Sequence, residues 1–391
     1  MRQLLIPALL AATAAGPALA QVEQGPANAD FAPAFDNQTR APALEPTAVT
    51  VETFATGLSH PWGIAPLPEG GWLVTERPGR LRVVGADGSL GEPIAGLPEV
   101  DARRQGGLLD VAVGPDFAED RRIYWTYAKR VSGGTVTAAA RGILSEDLTE
   151  VTAVEEIFEQ TPPSSNPAHY GSRIVFDGPY LYLTTGEHFS LSDRQRAQEL
   201  GATYGKVVRL THDGGVPADN PFVETDGARP EVWTLGHRNV QGADLDASGR
   251  LWTIEHGPAG GDELNAPEPG LNYGWPVVSY GQNYNGSAVG SGEARAEGFE
   301  EPVYYWDPVI APSGMSFYDG SFAGWQGDLL IGSLTPGGVT RLRIDGGRVT
   351  GEERIRPDLG RIRDVEIAPD GSILLLVDEN NGAILRMTPG T

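Results

Sequence analysis

The sequence predicts an all-β fold, a six-bladed β-propeller of four-stranded antiparallel blades. Three observations carry the prediction. First, one pattern occurs six times: a turn with Pro, Asp or Gly leads into a short apolar strand that usually ends on an acid or a threonine. Its copies are PEGGWLVTE (68–76), PDFAEDRRIYWTY (115–127), DGPYLYLTTGE (177–187), DASGRLWTIE (246–255), GWQGDLLIGS (324–333) and PDGSILLLVDE (369–379). Second, from Trp72 to Ile373 the copies recur roughly every 60 residues, room for four strands of about five residues with their turns. Third, helical periodicity is scarce, with Asp193 to Leu200 the best candidate for a short helix.

Taken in order, residues 1–20 read as a secretory signal peptide. Arg2 gives the positive start, Leu4 to Ala15 the apolar core, and Ala18-Leu19-Ala20 the cleavage site. Residues 21–46, rich in Ala and Pro, read as a flexible leader or as a segment draped over the domain. From Thr47 the texture changes to short strands, so 47–391 is expected as one propeller domain. Val49 to Phe54 is placed to supply the outer strand of the last blade and close the ring. The intervals 103–109, 162–173 and 255–290 are long, and long loops on one face of a propeller build its site.

Composition narrows the function. The 391 residues carry a net charge of −23, which disfavours nucleic acid and anionic membrane surfaces as partners. There are no cysteines, so an exported chain of this kind relies on its core or on bound metal. No G-x-S-x-G, P-loop, G-x-G-x-x-G or zinc-type spacing is present.

Several stretches carry chemistry. Glu255 to Pro276, EHGPAGGDELNAPEPGLNYGWP, combines a Gly-Pro turn, a Gly pair and the adjacent carboxylates Asp262 and Glu263. Glycines let carbonyls turn inward and carboxylates supply hard oxygens, which suits calcium, although an acidic surface loop has the same composition. His169 precedes a strand in a loop with little else that titrates, and Glu187 ends the next strand. The two read as a general base with its orienting acid, or as a histidine on a solvent-facing turn. Arg238 and Asn239 arrive with His237 and Gln241 at the end of a strand, as in a polar ligand site or a hydrated loop. In GRIRDVEIAPDG the alternation puts Arg361 and Arg363 on one face, where they repel unless an anion lies between them. Surface pairing with Asp358, Asp364 or Glu366 is the alternative. Asp244 to Glu255 nearly matches an EF-hand loop, but a strand follows it, so it reads as a hairpin turn.

Together these stretches resemble the glucose/sorbosone dehydrogenase family, the soluble PQQ-dependent aldose sugar dehydrogenases. The resemblance runs from Val49 to Met387. It rests on LSHPWGIAPLPEGGWLVTERPGRL, RQGGLLDVAVGPDF, HYGSRIVFDG, YGKVVRLTHDG, LGHRNVQG, EHGPAGGDELN with NYGWP, APSGMSFYDG and GRIRDVEIAPDG, in that order. It implies a six-bladed propeller that binds PQQ and Ca²⁺, oxidises aldose sugars at C1 to the lactone, and passes electrons to an external acceptor. By the same resemblance His169 is the catalytic base and Glu187 its orienting acid, while Gln105 lies near sugar and quinone. Arg238 and Asn239 contact PQQ, and Arg361 and Arg363 hold its carboxylates. Gly257 and Pro258 bind calcium through backbone carbonyls, and Asp262, Glu263 and Tyr273 match a second calcium site. Two departures stand out. Thr335 lies where the family often has a lysine, leaving a weaker donor to PQQ, and Ala168 replaces an acid that some members carry. A calcium-dependent propeller lactonase and a non-catalytic sugar-binding propeller are the competing readings.

Overall fold

The computed structural model describes residues 20–320 and 322–390. Nearly all of the expected signal peptide, residues 1–19, lies outside the described residues. The chain forms six four-stranded antiparallel sheets. Their first strands, Pro61–Pro66, Leu108–Val113, Gly171–Asp177, Val240–Leu245, Pro312–Phe317 and Ile362–Ile367, pack against one another in a closed ring around the axis. Val49–Leu58 pairs antiparallel with Gly382–Pro389, so the N-terminal strand completes the last blade and closes the ring as expected. Closure gives every blade a neighbour on both faces, so the faces of the first and last blades are not left open to water.

All six sequence repeats fall on the second strand of a blade: Trp72–Glu76, Arg122–Val131, Tyr180–Thr185, Leu251–Glu255, Leu329–Ser333 and Ile373–Val377. These strands lie between two neighbours within the sheet and between two adjacent blades. Each therefore reads as a run of apolar residues rather than an alternation. Trp72–Glu76, Leu251–Glu255 and Leu329–Ser333 are buried at every position. Clusters of buried side chains fill the spaces between blades, anchored by the fully buried Trp125 and by Trp252 with Trp306. Burying each large side chain contributes about 1.5–3 kcal/mol. The expected short helix forms as a 3₁₀ segment, Asp193–Gln198.

The first strands share a feature that the sequence pattern does not show. Each has a register irregularity near its start, at Pro61/Ile64, Leu108/Val111, Gly171/Ile174, Val240/Gly242, Pro312/Met315 and Ile362/Asp364. A bulge bends the strand and re-aims the side chain at the extra position. At one end of the ring this turns Trp62, Leu109, Gln241 and Arg363 into a common cavity.

Residues 21–46 lie along the outer strands of the fourth and fifth blades. The Asn28 and Ala29 amides donate to Asp307 at 2.8 Å each. Buried Gln38 donates to the Pro302 carbonyl, and the Ala41 amide donates to the Tyr304 hydroxyl. Ala43 bridges Glu352 in a parallel sense. The segment thus covers an outer sheet edge that would otherwise face water.

Candidate active site

The cavity at the N-terminal ends of the first strands measures about 260 Å³ and is lined by Gln105, Asn239, Arg361 and Arg363 among others. Residues from all six blades meet there, which is why stretches so far apart in sequence each carried part of the signal. A larger cavity of about 400 Å³ lies at the other end of the same strands. Between them the channel is plugged by Arg173, which donates to Asp110 and Asp364 at 2.8 and 2.9 Å and stacks on Trp62. The candidate chemistry lies wholly on the first side.

His169 stands beside this cavity, next to its lining residue Tyr170. The strand pairing Gly171↔Thr185 brings the residues flanking both strands together. His169 Nδ1 therefore lies 3.1 Å from Glu187 Oε1, and both side chains are buried. The second carboxylate oxygen of Glu187 accepts the Phe189 amide. Burial first, then Arg238, hold the imidazole pKa below its ordinary value, against the opposing pull of Glu187. Burial pushes the Glu187 carboxyl up, but His169, Arg238 and the Phe189 amide outweigh it and hold it below the usual range. The pair is thus a neutral imidazole on a carboxylate near pH 7, with Nδ1–H donating. Gly186 is required by contact, because a Cβ there would stand 2.1 Å from the His169 carbonyl oxygen.

The next blade repeats this pair at the same sequence offset. His237 Nδ1 meets Glu255 Oε1 at 2.8 Å, but its Nε2 is taken by the Thr234 hydroxyl at 2.9 Å and the residue is fully buried. His169 Nε2 has no hydrogen-bond partner among the described residues. One pair locks two loops together, while the other leaves a nitrogen free to act on a ligand. The acid that closes each sequence repeat marks both.

Several non-glycine residues with left-handed backbone sit at the rim of this cavity. His60, Arg104, His169, His188, Phe189 and Ala311 all have positive φ between 45° and 62°. Such conformations cost of order 1–3 kcal/mol each and persist where surrounding contacts hold them. Here the Glu187 contacts and the bond from the His169 amide to Gln105 Oε1, 2.8 Å, are among those contacts.

Arg361 and Arg363 do share a face, and both reach Asp378 Oδ2, at 3.1 and 2.8 Å. Their acid is neither Asp358 nor Asp364 nor Glu366. It is the residue that follows the apolar strand of the sixth repeat. The other Asp378 oxygen meets His60 Nδ1 at 2.9 Å. Burial pushes the Asp378 carboxyl up, but Arg363, His60 and Arg361 hold it well below the usual range. Buried Arg363 also donates to Gln241 Oε1, while its Nε has no partner. Asn239 Oδ1 accepts from the Gly171 amide and from Gln241 Nε2, at 3.1 and 3.3 Å.

Arg238 lies between this cavity and a much smaller one. It donates to the His256 and Gly257 carbonyls, at 3.0 and 2.7 Å, while its buried Nε lies 3.9 Å from Glu187 with no hydrogen-bond partner. The smaller cavity, about 10 Å³, is lined by Glu255, Gly257, Glu263 and Tyr273, with room for about one water or ion. Burial and the neighbouring Glu255 push the Glu263 carboxyl well above the ordinary range. Two carboxyls held together in this way favour a proton or a cation between them.

Other expected site residues are placed differently. Asp262 has both oxygens on backbone amides, one on Gly257 and one on Ile310 and Ala311, each at 2.8 Å. It braces the Gly257-Pro258 turn and is not turned to the small cavity. Burial pushes its carboxyl up to about 7 against those three amides. The Tyr273 hydroxyl is engaged by the Ala266 carbonyl and the Glu268 amide, leaving only its backbone carbonyl as a ligand. Thr335 is exposed and donates to the Leu334 carbonyl, and Leu334 rather than Thr335 lines the cavity. Among the described residues no group of three or more His, Cys, Asp or Glu side chains is gathered as a metal site, so an ion here must lean on backbone carbonyls. The sequence reading passed over Arg77, Trp62, Tyr170 and His256, all of which line the cavity.

The sequence profile of the family described as Glucose / Sorbosone dehydrogenase matches residues 58–386. The chain is 45% identical over 353 residues to the aldose sugar dehydrogenase YliI of Escherichia coli (strain K12), spanning 88% of this chain and 94% of that one. The apo crystal structure of the soluble aldose sugar dehydrogenase (Asd) from Escherichia coli matches with a TM-score of 0.85 at 43% identity, over 88% of this chain and 100% of that one. The PQQ-bound form of aldose sugar dehydrogenase (Adh) from Streptomyces coelicolor matches with a TM-score of 0.71 at 29% identity, over 88% and 99%. With a profile match along most of its length and these relatives beside it, the chain belongs to the glucose/sorbosone dehydrogenase family.

Proposed function

We propose that this chain is an exported, PQQ- and calcium-dependent aldose sugar dehydrogenase that oxidises the sugar at C1 to the lactone and hands the electrons to an external acceptor. The observation that carries the reading is the buried His169–Glu187 pair beside a cavity where arginines outnumber carboxylates. The residues present fit the cofactor. Arg361 and Arg363 share one carboxylate between them, and Arg363 Nε is buried without an acceptor, so the cavity favours a polyanion such as a tricarboxylate. Asn239 and Gln241 add neutral polar groups to the same lining.

When bound with calcium, PQQ supplies an electrophilic quinone that takes up the hydride from C1 of the sugar. The chain's own residues do the rest. Glu187 holds the proton of His169 on Nδ1, which leaves the Nε2 lone pair to accept the proton of the C1 hydroxyl. Glu187 then stabilises the imidazolium, while burial, with Arg238 beside it, keeps the resting imidazole neutral. Gln105 fixes the His169 backbone with its oxygen and keeps its NH₂ group to donate. We assign the Gly257 and Pro258 carbonyls to the calcium at the cofactor, with Asp262 bracing their turn; Gly257 borders the small cavity and its carbonyl already accepts from Arg238, so the ion would share that oxygen. A second ion belongs to the small cavity of Glu255, Glu263 and the Tyr273 carbonyl.

Reconstitution tests the reading. Purified protein given PQQ and Ca²⁺ should retain quinone absorbance through gel filtration and reduce an artificial acceptor when aldoses are added. Protein that retains no quinone and reduces no acceptor would contradict it.

A further inference from the structure

Three guanidinium groups, rather than two, border the main cavity: Arg77, Arg361 and Arg363. Asp378 is fully engaged, with one oxygen on Arg361 and Arg363 and the other on His60. Arg77 has no carboxylate within ion-pairing distance among the described residues. Its Nε donates to the Gly106 carbonyl at 3.3 Å and its Nη2 to the Arg104 carbonyl. Its Nη1 makes no hydrogen bond among the described residues. Burial lowers its pKa first, Asp378 opposes this, and Arg361 adds to it, so the group feels the electropositive cavity.

The two carbonyls that Arg77 holds flank Gln105. Gln105 in turn accepts the amide of His169 at 2.8 Å. One side chain therefore faces the cavity and also fixes the loop that holds the backbone of the catalytic histidine.

We propose that Arg77 is a third anion contact of the cofactor cavity and a positioning residue that ties cofactor loading to the geometry of Gln105 and His169. The proposal rests on the functional reading above. A guanidinium suits both tasks because its planar fork can span two carbonyls while a free N–H faces an anionic oxygen. An ammonium keeps the charge and cannot span the pair.

The test uses the full chain with Arg77→Gln and Arg77→Lys. PQQ binding is followed in Ca²⁺ by quenching of tryptophan fluorescence, Trp62 being part of the cavity wall, and by the same titration with PQQ trimethyl ester. Turnover of one aldose is measured at saturating PQQ. Arg77→Gln should weaken PQQ about 10- to 100-fold, as expected for a lost charge-assisted hydrogen bond, and should weaken the ester far less. Arg77→Lys should recover most of the PQQ affinity yet keep turnover reduced by about 10-fold at saturation, since the loop stays unclamped. A purely structural arginine would weaken acid and ester alike and gain nothing from lysine, which overturns the proposal. PQQ affinity and turnover of Arg77→Gln within about threefold of wild type overturn it as well, while leaving the dehydrogenase reading standing. If Arg77→Gln does not fold, the lysine variant decides, and full wild-type turnover in it counts against the clamp. A wild-type chain that binds no PQQ overturns both.

Discussion

Replacing Glu187 by Gln isolates the contribution of the orienting carboxylate. The change keeps the shape and removes the charge that faces His169 Nδ1 at 3.1 Å. A hydrogen bond to a charged group is worth about 1.5–3 kcal/mol, and both partners are buried here. Most of that energy appears when the imidazole becomes imidazolium in the transition state. At about 1.36 kcal/mol per tenfold, kcat should fall about 10- to 150-fold. The same energy weakens His169 as a base by about one to two pKa units, so the acid limb of the pH profile should move to lower pH. The fold also loses something. Glu187 accepts from both Nδ1–H and the Phe189 amide, and a carboxamide offers one oxygen, so one buried donor is left facing an NH₂ group. That should cost about 1–3 kcal/mol of stability. The assay is steady-state dye reduction by the reconstituted variant at saturating PQQ and Ca²⁺, with PQQ affinity measured separately. Glu187 is not among the residues lining the main cavity, so that affinity should stay within about threefold, well under one such hydrogen bond. Turnover near wild type would refute the reasoning, as would a loss explained entirely by weaker cofactor binding.

Three further outcomes follow. The acid limb of kcat/KM should have its midpoint below the ordinary histidine value of about 6.5, because the folded pKa of His169 is lowered and activity is lost only as pH falls through it; a midpoint above pH 7 would contradict the assignment. Strong chelator should release PQQ and lower the melting temperature, since a ligand held at about 100 times its Kd stabilises by about 2.7 kcal/mol; unchanged melting would remove calcium from the account. Deleting residues 21–46 should lower the melting temperature while leaving turnover at saturating cofactor unchanged. That deletion removes the Asn28, Ala29, Gln38 and Ala41 hydrogen bonds, each worth about 0.5–1.5 kcal/mol, and no residue of the segment lines the cavity. An unaltered melting curve would count against a stabilising role.

Much of the architecture was legible because the second strand of each blade is buried on both faces. Burial on both faces produces an uninterrupted apolar run, and the acid or threonine after it marks where the strand reaches the loops. That terminal acid proved more informative than its use in counting blades: Glu187, Glu255 and Asp378 each bind a histidine or an arginine pair at this end of the ring. The bulges were not legible, because one inserted residue leaves no periodic trace in a six-residue strand. Trp62 and Leu109 therefore enter the cavity without warning, and Arg363 enters with a partner no one would choose from local sequence. Asp262 shows the opposite limit. Its type and company suit a calcium ligand, but three backbone amides had first claim on its oxygens, and amide positions are set by tertiary structure. The leader illustrates the same point, since Ala- and Pro-rich composition says nothing about an outer sheet edge waiting to be covered.

The most direct measurement is a single turnover without any electron acceptor. Protein loaded with one equivalent each of PQQ and Ca²⁺ is mixed with an aldose, and quinone absorbance and lactone are followed together in the wild type and in His169→Ala. The account predicts loss of the oxidised quinone spectrum with one lactone formed per site, slowed in His169→Ala by about 10²- to 10⁴-fold with the cofactor still bound. Bleaching without lactone, or equal rates in the two proteins, would contradict it.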